Sequence, residues 1–251
     1  LAGIRLRAAI VRGLSVVVLV LLWEAAARLI DSRTFPPASA VLLRIVAETR
    51  SGTLPDQLGI TLARVAAAFV LAMALGTTLG LAMGRWRGFD LFFDSWVLAL
   101  LNLPALVIIV LAYVWLGLND LAAVLAVALN KLPTTAVMIR EGARALDPDL
   151  GDMARSFRFG RWKTLRHVVL PQLAPYLVAA ARAGLALLWK IVLVVEILGR
   201  SDGVGFQIQV FFQLFDVTGI LAYAVAFGAV VLGLEWAVLQ PIERHATRWR
   251  R

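Results

Sequence analysis

The sequence predicts an all-α polytopic membrane protein of about six transmembrane helices, built as one domain, and three observations predict it. Of the 251 residues, 61% are hydrophobic, where soluble globular domains carry about 45–50%. Six stretches are apolar over the ~20 residues that a helix needs to cross hydrocarbon, which offers no partner to free backbone groups. The basic residues also fall on alternate connections between those stretches. So apolar a chain is not disordered. It has no cysteine, which excludes disulfides, thiolate metal sites and thiol nucleophiles. His167 and His245 are too few for an imidazole metal or haem centre. The net charge of +9 reads as loop residues that orient membrane spans, not as a nucleic-acid footprint.

The first span, 13–30, contains SVVVLVLLW and follows Arg5, Arg7 and Arg12. A secretory signal would end in small residues at a cleavage site, whereas Glu24, Arg28 and Asp31 come here, so the span is read as retained. Glu24 and Arg28 are spaced to neutralise each other. Residues 31–58 form an outer connection with Phe35-Pro36-Pro37, Ser39 as an N-cap, and a short surface helix from Ala40 to Glu48 carrying the pair Arg44/Glu48. Spans at 60–84, 95–118 and 121–139 follow, the last two parted only by Asn119 and Asp120. A loop at 140–171 leads to the fifth span, 172–198. A second outer connection, 199–218, opens with Gly199, Gly203 and Gly205 and continues into an interfacial run with Gln207, Gln209 and Gln213. The last span is 220–240. With both termini inside, inner segments hold sixteen of the 25 Lys and Arg residues, from Arg5 to Arg251, and outer loops hold Arg33, Arg44, Arg50 and Arg200. That bias puts both termini in the cytoplasm.

The loop between spans four and five reads REGARALDPDLGDMARSFRFGRWKTLRHVVLP and is longer than a simple turn requires. Asp147-Pro148 marks a turn and an N-cap, Gly160 offers a break, and helical character resumes from Arg161 to Val169. Two short helices of this kind make a handle for a cytosolic partner. The run resembles the signature of the permease subunits of binding-protein-dependent ABC importers: Glu-Ala-Ala, three residues, Gly, nine residues, Ile, one residue, Leu-Pro. Asp152-Met153-Ala154 falls on the first triplet, Val168 on the Ile and Leu170-Pro171 on the Leu-Pro, without a gap. Arg158 stands at the Gly position, and Gly160 is expected to supply the flexible site instead. The similarity is to the nitrate, taurine and alkanesulfonate branch and extends to Phe35-Pro36-Pro37 and to Val195-Glu196-Ile197-Leu198-Gly199 through Gly205.

The resemblance implies a type I importer fold. It implies two permease copies around one pathway, two ATP-binding cassette subunits that hold ATP and magnesium, and a periplasmic or lipid-anchored solute-binding protein, all at a bacterial inner membrane. Each loop then inserts a coupling helix into an ATPase subunit. Phe157, Phe159 and Trp162 read as anchors of that contact, and Arg155, Arg158 and Arg161 as charge-assisted partners around it; the competing reading is a basic loop on anionic lipid. The chain has no G-x-x-x-x-G-K-[ST], and no glycine precedes a lysine, so it binds no ATP by a P-loop. It is not expected to be an enzyme or to carry a cofactor or metal of its own.

Ionisable residues inside spans are costly, so each invites a functional reading. Lys131, beside Asn130 and before Pro133, is placed equally well on a solute pathway, with Asn102 facing it, or in helix packing. Arg182 and Lys190 lie ~80° apart around the fifth span and share a broad face. Glu196 is read as structural, capping the glycine turn. The positive surplus along spans four and five favours an anionic solute. A permease of the same fold for an amino acid or vitamin precursor is the near alternative. A six-helix secondary transporter is a poorer one, since central carboxylates and repeats are missing.

Overall fold

The computed structural model describes residues 2–239. The expected inward-facing tail with Arg244, His245, Arg248, Arg250 and Arg251 lies outside the described residues, as do Gln240 and the side chains of Arg5, Arg7 and Arg12. Among the described residues the chain is all-helical. The helices are α1 (Ala2–Ile30), α2 (Ala38–Arg50), α3 (Thr53–Arg85), α4 (Arg87–Asn102), α5 (Ala105–Leu116) and α6 (Asp120–Arg144). They continue with α7 (Pro148–Ser156), α8 (Arg161–Thr164), α9 (Leu170–Gly199), α10 (Val204–Gln213) and α11 (Val217–Leu234). A π-helical turn, Leu165–Val169, fuses α8 to α9, and a second, Glu235–Leu239, follows α11. Among the described residues five helices are long and apolar enough to cross a membrane, and the bent pair α4–α5 makes a sixth crossing if counted as one.

Local chemistry explains the starts. The Asn119 side chain accepts from the Ala122 N–H at 2.8 Å to open α6, the Asp147 carboxylate accepts from Asp149 N–H at 2.9 Å to open α7, and Asp216 does the same for α11 through Gly219. Pro148 at the first position of α7 gives up no hydrogen bond that the helix would use.

The centre is the contact of α3 with α6. Gly76, Gly80 and Gly84 recur every four residues and so lie on one face of α3. A Cβ at Gly76 would sit 2.6 Å from Thr135 Cβ, at Gly80 2.9 Å from Ile139 Cβ and against the Ala136 carbonyl, and at Gly84 2.9 Å from the Arg140 carbonyl. Lipid gives helices no hydrophobic reason to associate, so close backbone approach over small residues holds them. Ala68 and Ala72 of α3 and Ala122, Ala123 and Ala126 of α6 continue the seam, which α9 covers with Leu188, Val192 and Val195. A second cluster of Leu54, Val204, Phe211, Tyr223 and Phe227 seats α10 and α11.

The structure corrects two expectations. The stretch 95–118 is not one straight span: α4 ends at Asn102, and after Leu103-Pro104 the chain turns by 101° into α5. Pro104 has no N–H for a continuing helix, and it biases Leu103 to the extended backbone seen there. Ser39 is not the cap of α2. That helix begins at Ala38, and Ser39 donates its hydroxyl to Glu24 at 2.9 Å and its N–H at 3.0 Å, tying α1 to α2. The expected pairs Glu24–Arg28 and Arg44–Glu48 form at 2.7 and 3.0 Å.

Gly80→Ala forces a methyl into the Ala136 carbonyl and is expected to cost about 1–3 kcal/mol, as overpacking does. Thermal unfolding in detergent checks this. Gly88→Ala, within α4 and with nothing within 4 Å of the added carbon, is the matched control and does not lower the midpoint, since alanine costs less freedom than glycine in a helix.

Candidate functional site

The helices α3 and α6 run together from one end of the bundle to the other, and α9 packs across their seam. One end carries the connection of α6 to α9, here the loop end. The other carries the glycine turn of α9 to α10, here the turn end.

At the loop end, α7 buries only Ala154. Its start is fixed by Gln172, whose side-chain carbonyl accepts from the Asp147 N–H at 2.9 Å while its amide donates to Val168 O at 3.0 Å. Asp152 pairs with Arg155 on the exposed side. Leu150, Met153 and Phe157, spaced three and four apart, leave an apolar row facing outward, with Phe157 71% exposed. Trp162 is equally exposed at 71%. Leu170, Pro171 and Arg161 are exposed as well.

The end of α7 explains the departure at the signature glycine. The Phe159 N–H reaches Ala154 O at 2.8 Å and the Arg158 N–H reaches Arg155 O at 3.0 Å, the two bonds of a Schellman motif. That motif needs a left-handed residue, and Arg158 adopts it with φ 50°. Gly160, expected to supply the flexible site, has φ −63° and uses no glycine-only conformation. Phe159, expected as an anchor beside Phe157 and Trp162, is half-buried under the Lys163 ammonium, 4.2 Å from its ring centre.

At the turn end, Arg64 of α3 is 5% exposed and holds three carboxylates. Its Nη1 donates to Glu196 at 2.8 Å and its Nε to Asp120 at 2.7 Å, and Nη2 meets Asp202. Glu196 has no exposed surface. It also accepts from Thr61 Oγ1 at 2.9 Å and from the Gly205 N–H at 2.9 Å. Thr61 in turn accepts from the Val204 N–H at 2.9 Å. Glu196 thus holds the glycine turn, as its position suggested, but through α3. Arg200 extends the cluster to Asp120 at 3.1 Å and to Leu118 O at 2.9 Å. Sequence reasoning missed Arg64, Thr61 and Asp202. One signal was present: Arg64 lies within an apolar span with no acid three or four residues away, so its partner had to come from another helix.

The polar residues expected on a pathway separate into two groups. Lys131 is wholly buried, its Nζ donates to Ala180 O at 2.8 Å, and a side chain at Gly184 would collide with it. It packs α6 to α9 and has no exposed surface, because the α9 backbone closes over it. Asn130 is half-buried beside it. Asn102 is exposed at the α4–α5 joint and donates to Leu98 O at 2.8 Å, not to Lys131. Arg182 and Lys190 lie on the exposed side of α9.

Residues 62–239 match the family described as the binding-protein-dependent transport system inner membrane component. The aliphatic sulfonates transport permease SsuC of Bacillus subtilis is 26% identical over 235 residues, 93% of this chain and 85% of that protein. The taurine transport system permease TauC of Escherichia coli is 24% identical over 243 residues, 94% and 88% of the two chains. Inward-facing structures of the MetNI methionine ABC transporter include a chain that superposes with a TM-score of 0.63 at 20% identity, over 75% of this chain and 93% of that one, which establishes the fold.

Removing one partner of a buried ion cluster strands the others, at about 3–5 kcal/mol. Arg64→Met is therefore expected to lower thermal stability by that order, read by unfolding in detergent. Arg158→Gly relieves a left-handed side chain worth ~1–2 kcal/mol and loses ~0.5–1 kcal/mol to glycine's freedom. A net gain of about 0–1.5 kcal/mol is expected from the same measurement, while Gly160→Ala, with φ −63° and open space at the added carbon, gains about 0.4–1 kcal/mol by losing glycine's freedom.

Proposed function

This chain belongs to the binding-protein-dependent transport system inner membrane components, and we propose that two copies of it form the pathway for a small organic anion. As a permease of an ABC transporter it is not itself an enzyme: ATP is bound by separate ATPase subunits, and a binding protein brings the solute. In this reading the loop end faces the cytoplasm and both termini lie inside, in accord with the distribution of basic residues. The membrane is the bacterial inner membrane.

The observation that carries the reading is the outward apolar row of Leu150, Met153 and Phe157 with Trp162. It stands on a segment whose remaining contacts anchor it to α9 through Gln172. Exposed aromatics in a basic surround fit an interface pocket, and they supply most of the binding energy where they are buried. The loop is thus the ATPase contact. The pathway is lined by the exposed polar residues Asn102, Arg182 and Lys190, with Lys131 standing behind them. Anionic cargo is supported by the cationic surplus of α6 and α9 and by relatives named for aliphatic sulfonates and taurine.

Phe157→Ala combined with Trp162→Ala removes the two anchors. Co-purification of the ATPase from detergent is expected to fall about tenfold or more, as for interface hot spots, with the permease still folded. Undiminished co-purification overturns docking through this loop. In proteoliposomes holding the whole complex, ATP-dependent uptake of ethanesulfonate that competes with taurine but not with lysine supports the anionic reading. Preference for lysine would overturn it.

A further inference from the structure

The loop end holds a second group of charges that neither the family nor the coupling loop accounts for. Arg140 and Arg144 occupy the last turns of α6. Asp90 and Asp94 occupy the first two turns of α4 and, four residues apart, lie on one helix face. Arg140 Nη1 stands 3.4 Å from Asp90 and 2.5 Å from Asp94, and Arg144 Nη2 stands 2.5 Å from Asp90. Glu141 bridges both arginines at 3.2 Å. The inner members are well covered, Arg140 at 15% and Asp90 at 17% side-chain exposure.

What α4 otherwise offers α6 is slight. Val97 is its sole buried side chain, while Leu91, Phe92, Trp96, Leu98 and Leu101 are exposed. On the other side, α6 is locked to α3 at Gly84, where Arg140 O and Ala143 leave no room for a side chain. Only three residues, 145–147, separate α6 from α7. The charged group therefore lies between the coupling loop and the helix that ends at the 101° joint.

We propose that Asp90 and Asp94 are positioning residues of the transport cycle. Through Arg140 and Arg144 they make α4 follow the loop end of α6, so that displacement of the coupling loop reaches the α4–α5 joint. Partly covered ion pairs suit this task. They resist separation far more than exposed ones do, and they fix direction as well as distance. The proposal rests on the reading of the loop as the ATPase contact.

The test uses the complete complex in proteoliposomes, with solute uptake and ATP hydrolysis measured together. For Asp90→Asn with Asp94→Asn, ATPase binding and hydrolysis are expected within about twofold of the unmodified complex, and solute moved per ATP about tenfold lower. Asp90→Glu with Asp94→Glu keeps the charges and restores the ratio. An unchanged ratio in the Asn variant overturns the proposal, and so does a parallel loss of uptake and hydrolysis, which marks a purely structural role. Asp94→Asn alone, at a more exposed position, assembles more readily and is read by the same criteria. Failure of the underlying reading shows separately, as ATPase binding that survives Phe157→Ala with Trp162→Ala.

Discussion

Inside a bilayer a polar group has no water to turn to, so its partner must be built into the protein. Much of this structure follows from that constraint. Arg64 and Glu196 are buried at the turn end because Thr61, Asp120, Asp202 and the Gly205 N–H complete their hydrogen bonds. Lys131 is buried because a carbonyl of α9 comes within 2.8 Å. Each of these contacts needs the backbones close together, and glycine permits it. A side chain at Gly203 or Gly205 would strike Glu196, and one at Gly184 would strike Lys131. Buried charge and glycine are therefore two halves of one device.

The same constraint divides the molecule mechanically. Helices α3, α6 and α9 are joined by a seam of glycine and alanine and by a buried ion cluster at one end. Separating such a cluster costs several kcal/mol, so the start of α10 belongs to this block. The loop carrying α7 and α8, and the helix α4, are attached differently. They hang on a few polar contacts at the opposite end, Gln172 for α7 and the Asp90–Asp94 pair for α4, and they leave much of their surface uncovered. Charge is buried outright at the turn end, while at the loop end half-covered ion pairs tie α4 to α6.

What could be read in advance was what depends on neighbours in sequence. The spans are local runs of apolar residues, and Asn119, Asp147-Pro148 and the Arg44–Glu48 pair act within four residues of themselves. The rest depended on neighbours in space. A proline inside a span kinks some helices and breaks others, and only the surroundings of Pro104 decide that the chain turns by 101°. Ser39 looked like a cap because the hydroxyl has that chemistry. Glu24 of α1 claimed it instead. At Arg158 the signature glycine was missing while its conformation was not: the Schellman bonds of α7 hold an arginine at φ 50°. Looking to Gly160 for flexibility treated the motif as a residue type, whereas the fold preserves a backbone angle.

Lys131 shows a second way of burying a cation in a span. Its Nζ donates to a carbonyl, and no acid is seen beside it among the described residues. Arg64 is the opposite case, surrounded by three acids and contributing little field beyond its cluster. In the low dielectric between α6 and α9 the Lys131 charge is weakly screened. It adds to the potential on the side of α9 that carries Arg182 and Lys190. Under the proposed anionic pathway, a lysine behind the wall and two cations on it would act in the same direction.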